Sequence, residues 1–369
     1  MSAMPNAVSA DPKQDLADPF AGTGYSALER LGAGGMGEVY LVLHRELGRE
    51  FVAKVVHARF ASDQRVLDRV RVEAQALGKL NHPHIVSVTG FGMTLDERPF
   101  IVMEHLRGRT LAAEVAARGA LPAWEAVQYT LHLLAALEAA HALGIVHRDI
   151  KPDNLFLVEH PDGRRVLQVL DFGLARVLPG AGSAAPMPLA LPTSTGHIIG
   201  TPHFVSPEGA LGNKVDARAD LYAAGLVLYT LLAGRGPFDR MKHVAQILDA
   251  QANLEPVAPS ILAGASLPIA LDQLVLFALR KSPADRFQSA RGFSDALAQL
   301  EGALRAHQPQ PLNVRSPSFE PPLARTPLTL PRIFHSGQRR RKLLAFVVVV
   351  AATAILVSRL VRIVLERSP

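Results

Sequence analysis

The 369-residue chain contains no cysteine, which excludes disulfide staples and thiolate metal sites. It has no internal repeat of fixed period. Its start lacks the basic residues and apolar run of a signal peptide. A single tryptophan, Trp124, stands at the start of a helical pattern and reads as a packing residue. An evenly spread basic charge is also missing. The net charge is +6, but eleven Arg or Lys against two Glu fall between Gly302 and the end, a balance of +9. That leaves −3 for residues 1–301, so no nucleic-acid partner is expected for the main body of the chain.

Composition divides what is present. Residues 1–24 are rich in Ala, Pro, Ser and Asp without an apolar period and read as a disordered arm. Residues 25–301 alternate strand and helix signals over a length that can bury a large core. Residues 302–338 carry Pro309, Pro311, Pro317, Pro321, Pro322, Pro327 and Pro331 and read as a semi-extended linker. Residues 339–369 combine a basic cluster with the only long apolar stretch, Leu343 to Val357.

The chemistry concentrates in "HRDIKPDN", His147 to Asn154, followed by "DFG" at Asp171 to Gly173. A tripeptide such as DFG is common in turns, but the ordered pair is specific. Phosphoryl transfer needs a carboxylate to orient and deprotonate a hydroxyl, and oxygen ligands to hold a cation against the phosphates. Asp149 can fill the first role, and Asn154 and Asp171 the second. Upstream, "LGAGGMGEVYLVLH" places Gly32, Gly34 and Gly37 before Val39. A dinucleotide-binding turn would lead into a helix. Here a strand follows, then the turn "RELGRE" and a second strand, "FVAKVV". Two strands joined over glycines make a flap whose backbone can approach phosphates. Lys54 lies within the second strand. The segment Ser62 to Leu80 has apolar residues at helical spacing, with Glu73 on the apolar face. A carboxylate there is costly unless paired, and Lys54 is its expected partner.

These motifs resemble the bacterial, eukaryote-like (Hanks-type) serine/threonine protein kinases over Tyr25 to about Leu300. The resemblance implies an α+β, two-lobed fold, with a small β-rich lobe and a larger helical one. It implies ATP as phosphoryl donor and Mg2+ or Mn2+ as cation. Leu31, Gly32, Gly34, Gly37, Val39, Lys54 and Glu73 would clamp the nucleotide. "FIVMEHL" resembles the hinge, with Met103 as gatekeeper and the backbones of Glu104 and Leu106 contacting adenine. Val52 stands where the family usually has alanine and would line the adenine pocket. Lys151 resembles the lysine that neutralises the γ-phosphate in serine/threonine kinases. Arg148 before Asp149 implies a phosphate on the activation loop, and Thr193, Ser194 and Thr195 are its candidate carriers. Thr201 in "GTPHF" would brace Asp149 and Lys151. Asp220 is expected to bond the catalytic-loop backbone, and Arg286 to pair with Glu208. Together with "SPE", Arg286 favours protein substrates over small metabolites. A transient dimer would allow autophosphorylation in trans.

The apolar stretch of fifteen residues would span about 23 Å as a helix, short of a hydrocarbon core of about 30 Å. Continued to Leu365 it reaches about 34 Å, with Arg359 and Arg362 snorkelling to the far interface. A single-pass C-terminal transmembrane anchor is expected, with the kinase domain cytoplasmic; a buried core helix and an interfacial helix are the other readings of this stretch. Two other readings of the chain are a pseudokinase scaffold and a small-molecule kinase of related fold. Degenerate scaffolds usually lose Lys54, Asp149 or Asp171, and all three are present.

Overall fold

A computed structural model describes residues 18–34, 37–61, 68, 70, 71, 74, 78–171, 202–264 and 266–306. Glu73, the expected activation-loop threonines, Thr201 and the expected membrane span lie outside them. Among the described residues no helix is long and apolar enough to cross a membrane.

The smaller lobe is a five-stranded antiparallel sheet. Its strands are β1 (Tyr25–Ala33), β2 (Gly37–His44), β3 (Arg49–Val56), β4 (Val88–Met93) and β5 (Pro99–Glu104), in the order β1-β2-β3-β5-β4. Alternation along the strands sorts side chains between two faces. Tyr40, Val42, Phe51, Ala53, Val55, Phe100 and Val102 form a core on one face. Val39 and Leu41 fall on the other and pair with Lys54 and Val52, which in turn pair with Ile101 and Met103. Strands β2 and β3 come together tightly at Gly37, where a Cβ would overlap the Val55 carbonyl oxygen. Glycine is the residue that permits this approach.

The arm expected over residues 1–24 is shorter than its composition suggested, because residues 18–24 fold onto this sheet. Phe20 is fully buried, edge-on to Tyr40 at 5.6 Å and to Phe100 at 5.2 Å. Asp18 Oδ1 accepts from the Phe20 and Ala27 amides. One aromatic in a Pro/Gly/Ala setting makes no period, so nothing local announced it. Burying it is worth about 2–3 kcal/mol.

After β3 comes a helical turn, α1 (Ala58–Ala61). Beyond it Asp68, Val70, Arg71 and Ala74 are helical, and Val70 and Ala74 pack with Val56 and Ile101. The helix expected to reach Leu80 stops earlier: Gly78 and Lys79 form a turn. Leu80 is buried instead in the core of the larger lobe.

The larger lobe contains α2 (Leu111–Arg118), α3 (Ala123–Ala142), α4 (Pro207–Ala210), α5 (Ala217–Ala233), α6 (Val244–Asn253), α7 (Pro259–Ala263), α8 (Ile269–Ala278) and α9 (Ala290–Ala306). A small sheet, β6 (Gly108–Thr110), β7 (Leu155–Glu159) and β8 (Arg165–Val169), lies among them. Helix α5 is buried without interruption from Ala219 to Leu232, the pattern of a helix at the centre of a lobe. Asp216 caps its start and Gly234 ends it in the left-handed conformation. Trp124 packs against the surrounding core, as its position at the head of α3 suggested.

The lobes are joined behind β8 by histidines. His84 and His132 stack at 4.1 Å with rings 16° from parallel. His84 Nδ1 donates to the Leu167 carbonyl, and His132 Nδ1 accepts from the Leu167 amide. Burial and the neighbouring His84 push His132 down to about 4 from 6.5. Both rings are therefore neutral in the folded protein at pH 7, while the unfolded chain takes up protons below about 6.5. Stability is full above that pH and falls as pH drops toward about 4, by about 2–3 kcal/mol for His132. Urea midpoints measured from pH 7.5 to 4.5 should fall less steeply in His132→Gln. Equal slopes would show that this pair does not titrate with folding.

Candidate active site

The catalytic loop runs from the end of α3 to β7, and Asp220 of α5 holds it from below. Asp220, 1% exposed, accepts from the His147 and Arg148 amides, both at 2.8 Å, and from His141 Nε2 at 2.9 Å. Three donors satisfy a buried carboxylate that would otherwise be costly. They also fix Arg148 at φ 66°, a left-handed conformation that side chains other than glycine adopt only when the surroundings impose it. The expected bond from Asp220 to the loop backbone is thus present. His141 of α3 is its third partner.

His147, two residues before Asp149, ties the loop to the end of β8. His147 Nε2 donates to the Leu170 carbonyl at 2.9 Å, and its Nδ1 accepts from the Asp149 amide at 3.2 Å. This fixes one neutral tautomer. The Leu170 amide in turn donates to the Asn154 carbonyl at 2.8 Å. Loop and strand end are thereby stitched at both sides of the site.

Asp149 stands in a cluster of donors. Lys151 Nζ lies 3.1 and 2.9 Å from its two carboxylate oxygens, and Asn154 Nδ2 donates to Oδ2 at 2.9 Å and to the Asp149 carbonyl at 2.8 Å. The carboxylate is oriented by both and remains 37% exposed, so an incoming hydroxyl can reach it. A 3-10 turn over Pro152–Asn154 brings Asn154 back beneath Asp149.

Across the cleft, Lys54 Nζ lies 2.8 Å from Asp171 Oδ2. This is the partner the structure gives Lys54, and it joins β3 of the small lobe to the strand end of the large one. Asp171 sits at φ 54°, a second left-handed residue within the same site. An ammonium beside a carboxylate suits a phosphate with its cation: the first attracts phosphate oxygens, the second a metal. Among the described residues no group of three or more His, Cys, Asp or Glu could hold a metal. Asp171 and the Asn154 amide oxygen could ligate Mg2+ if phosphate and water completed the shell, as is usual for that ion.

Val39, Val52 and Met103 share the sheet face of Lys54, where an adenine would lie. Leu31 is half exposed at the end of β1, and a Cβ at Gly32 or Gly34 would meet nothing within 4 Å. Glu104 ends β5, donates its amide to the Ser87 carbonyl and accepts from the Ser87 amide. Leu106 follows it, partly exposed.

The expected pair of Arg286 and Glu208 is present and buried in the larger lobe. Arg286 donates to both oxygens of Glu208, at 3.1 and 2.7 Å, and its ring-facing guanidinium lies 4.7 Å from the Tyr222 centroid. Gln251, which no motif flagged, donates to the His203 carbonyl in the short turn Pro202–Phe204 and accepts from the Tyr222 hydroxyl at 2.7 Å. Burial pushes the nearby Lys281 down to about 8. A glutamine inside an amphipathic helix gives no local signal of such a role.

The profile of the protein kinase domain matches residues 25–297. The serine/threonine-protein kinase PksC of Streptomyces coelicolor is 42% identical over 300 residues, which cover 79% of this chain and 51% of PksC. Pkn1 of Myxococcus xanthus is 38% identical over 335 residues, 90% of this chain and 46% of Pkn1. The chain thus spans about half the length of these curated relatives. The crystal structure of the Mycobacterium tuberculosis PknI kinase domain matches at a TM-score of 0.57 and 30% identity, covering 77% of this chain and 99% of that domain. Protein kinases of this family use ATP and Mg2+. With a carboxylate held on one loop and a lysine-paired aspartate on the next, the chain belongs to the bacterial Hanks-type serine/threonine protein kinases.

Proposed function

We propose that this chain transfers the γ-phosphoryl group of ATP to serine and threonine hydroxyls of proteins. The cluster of Lys151 and Asn154 around Asp149 carries this reading, because it presents one oriented, partly exposed carboxylate to an acceptor hydroxyl. Asp149 takes the hydroxyl proton. Lys151 offsets charge on the transferring group, and Asn154 with Asp171 would hold Mg2+, which neutralises phosphate charge when bound. Lys54 would orient the phosphates, with Glu73 as its second partner. Adenine would lie against Val39, Val52 and Met103.

Control and location extend the proposal. Arg148 beside the base supports a switch that acts through a phosphate, since a phosphothreonine on the following segment would add paired negative charge. Thr193 and Thr195 are the proposed acceptors, modified in trans by a second copy. The basic cluster and apolar stretch after residue 338 support a single-pass membrane anchor with the kinase domain on the cytoplasmic side.

One experiment addresses these points together. The full chain, residues 1–338 and full-length Asp149→Asn are expressed, fractionated and incubated with ATP and Mg2+, and phosphosites are mapped. The expected result is phosphate on Thr193 or Thr195 in the first two and none in the third, with the full chain alone in the membrane fraction. Nucleotide binding without incorporation would leave a scaffold. Membrane sedimentation of residues 1–338 would remove the anchor.

A further inference from the structure

The glycine flap is held from outside by a residue that no kinase motif contains. His57 follows β3 directly and precedes α1, and its Nε2 lies 2.8 Å from the Gly34 carbonyl oxygen. A carbonyl only accepts, so Nε2 carries the proton and donates. The Gly34 amide donates to the Gly37 carbonyl at 2.8 Å, closing the turn on its other side. Gly37 pairs with Val56, the residue before His57, and Val39 pairs with Lys54, three residues before it. One strand end therefore carries both the lysine that would face the phosphates and the donor that holds the Gly34 carbonyl.

We propose that His57 is a positioning residue for nucleotide phosphates, acting as a latch that pre-orders the glycine flap. The physical reason is entropic. Glycine loses more backbone freedom on ordering than any other residue, and a flap that orders only on ligand binding subtracts that loss from affinity. A hydrogen bond made in the ligand-free protein removes part of the loss beforehand. The latch rests on the reading of Gly32, Gly34 and Gly37 as the phosphate cover, so its effect is confined to ligands that carry phosphates.

The test is calorimetric titration of the full chain with MgATP, MgADP and adenosine, for the wild type, His57→Ala and His57→Gln. Glutamine places its amide nitrogen as many bonds from Cβ as histidine places Nε2, and so restores the donor. Losing a single hydrogen bond of this type predicts that His57→Ala binds MgATP and MgADP about 2- to 10-fold more weakly, with adenosine affinity unchanged and His57→Gln close to wild type. Unchanged MgATP affinity in His57→Ala, an equal loss for adenosine, or no recovery in His57→Gln would each overturn the latch. A wild type that binds adenosine as tightly as MgATP would overturn the phosphate-cover reading along with it.

Discussion

Asp149→Asn should lower the rate of phosphoryl transfer by about 10²- to 10⁴-fold, the range of a lost general base, and leave MgATP affinity unchanged. Asparagine keeps the shape of the side chain and can still accept from Lys151 and Asn154, which now bond the carboxylate at 2.9 Å each. It cannot take a proton from the acceptor hydroxyl. The nucleotide elements, Lys54 on β3 and Asp171 after β8, lie on other segments and keep their 2.8 Å contact. Single-turnover transfer to dephosphorylated casein, read beside a nucleotide titration, separates the two effects. A rate within threefold of wild type would dismiss Asp149 as the base. A matching fall in ATP affinity would mean that the substitution had disturbed the cleft rather than the chemistry.

The largest effect on stability is expected at Arg286. Its side chain is fully buried and donates to both Glu208 oxygens and to the carbonyls of Arg218, Arg280 and Lys281. Arg286→Ala would leave a buried carboxylate uncompensated and three carbonyls short of a donor. Breaking such a pair costs about 3–5 kcal/mol, which for a domain of this size lowers the melting temperature by roughly 10 °C. Arg286→Lys keeps the charge but loses the two-pronged geometry, so it should fall between. Glu208→Gln in the Arg286→Ala background should recover part of the loss, since no charge is then left buried. Chemical denaturation of the four proteins measures this directly. A loss below about 1 kcal/mol in Arg286→Ala would mean that water reaches Glu208 and the pair is not structural. Because Glu208 opens α4 just after the Pro202–Phe204 turn, the same substitution should slow transfer to protein substrates even where the domain remains folded.

The residues proposed to carry chemistry stand out in the sequence because phosphoryl transfer demands particular side chains at short spacings. Asp149, Lys151 and Asn154 lie within six positions, and a helix before them and a strand after them follow from ordinary periodicity. Helix α3 begins where the helical pattern at Trp124 places it. The apolar spacing after α1 runs past the end of the helix, since Leu80 fits it but packs in the other lobe beyond a turn at Gly78. Composition places the start of the fold too late, because a lone Phe20 makes no pattern until Tyr40 and Phe100 are folded around it.

By itself, then, the sequence determined which groups could do chemistry, the alternation of strands and helices, and where the charge of the tail lies. These are local properties, set by spacing within a turn of helix or a few residues of strand. Only the tertiary structure decided which groups meet. Lys54 meets Asp171 across 117 positions, Asp220 takes His141 as a third donor beside the loop amides expected for it, and His57 reaches back to Gly34. Such contacts leave no periodic trace in the chain. They exist because a buried carboxylate must find donors and a glycine flap must be held, and the folded backbone settles which side chains are near enough to do it.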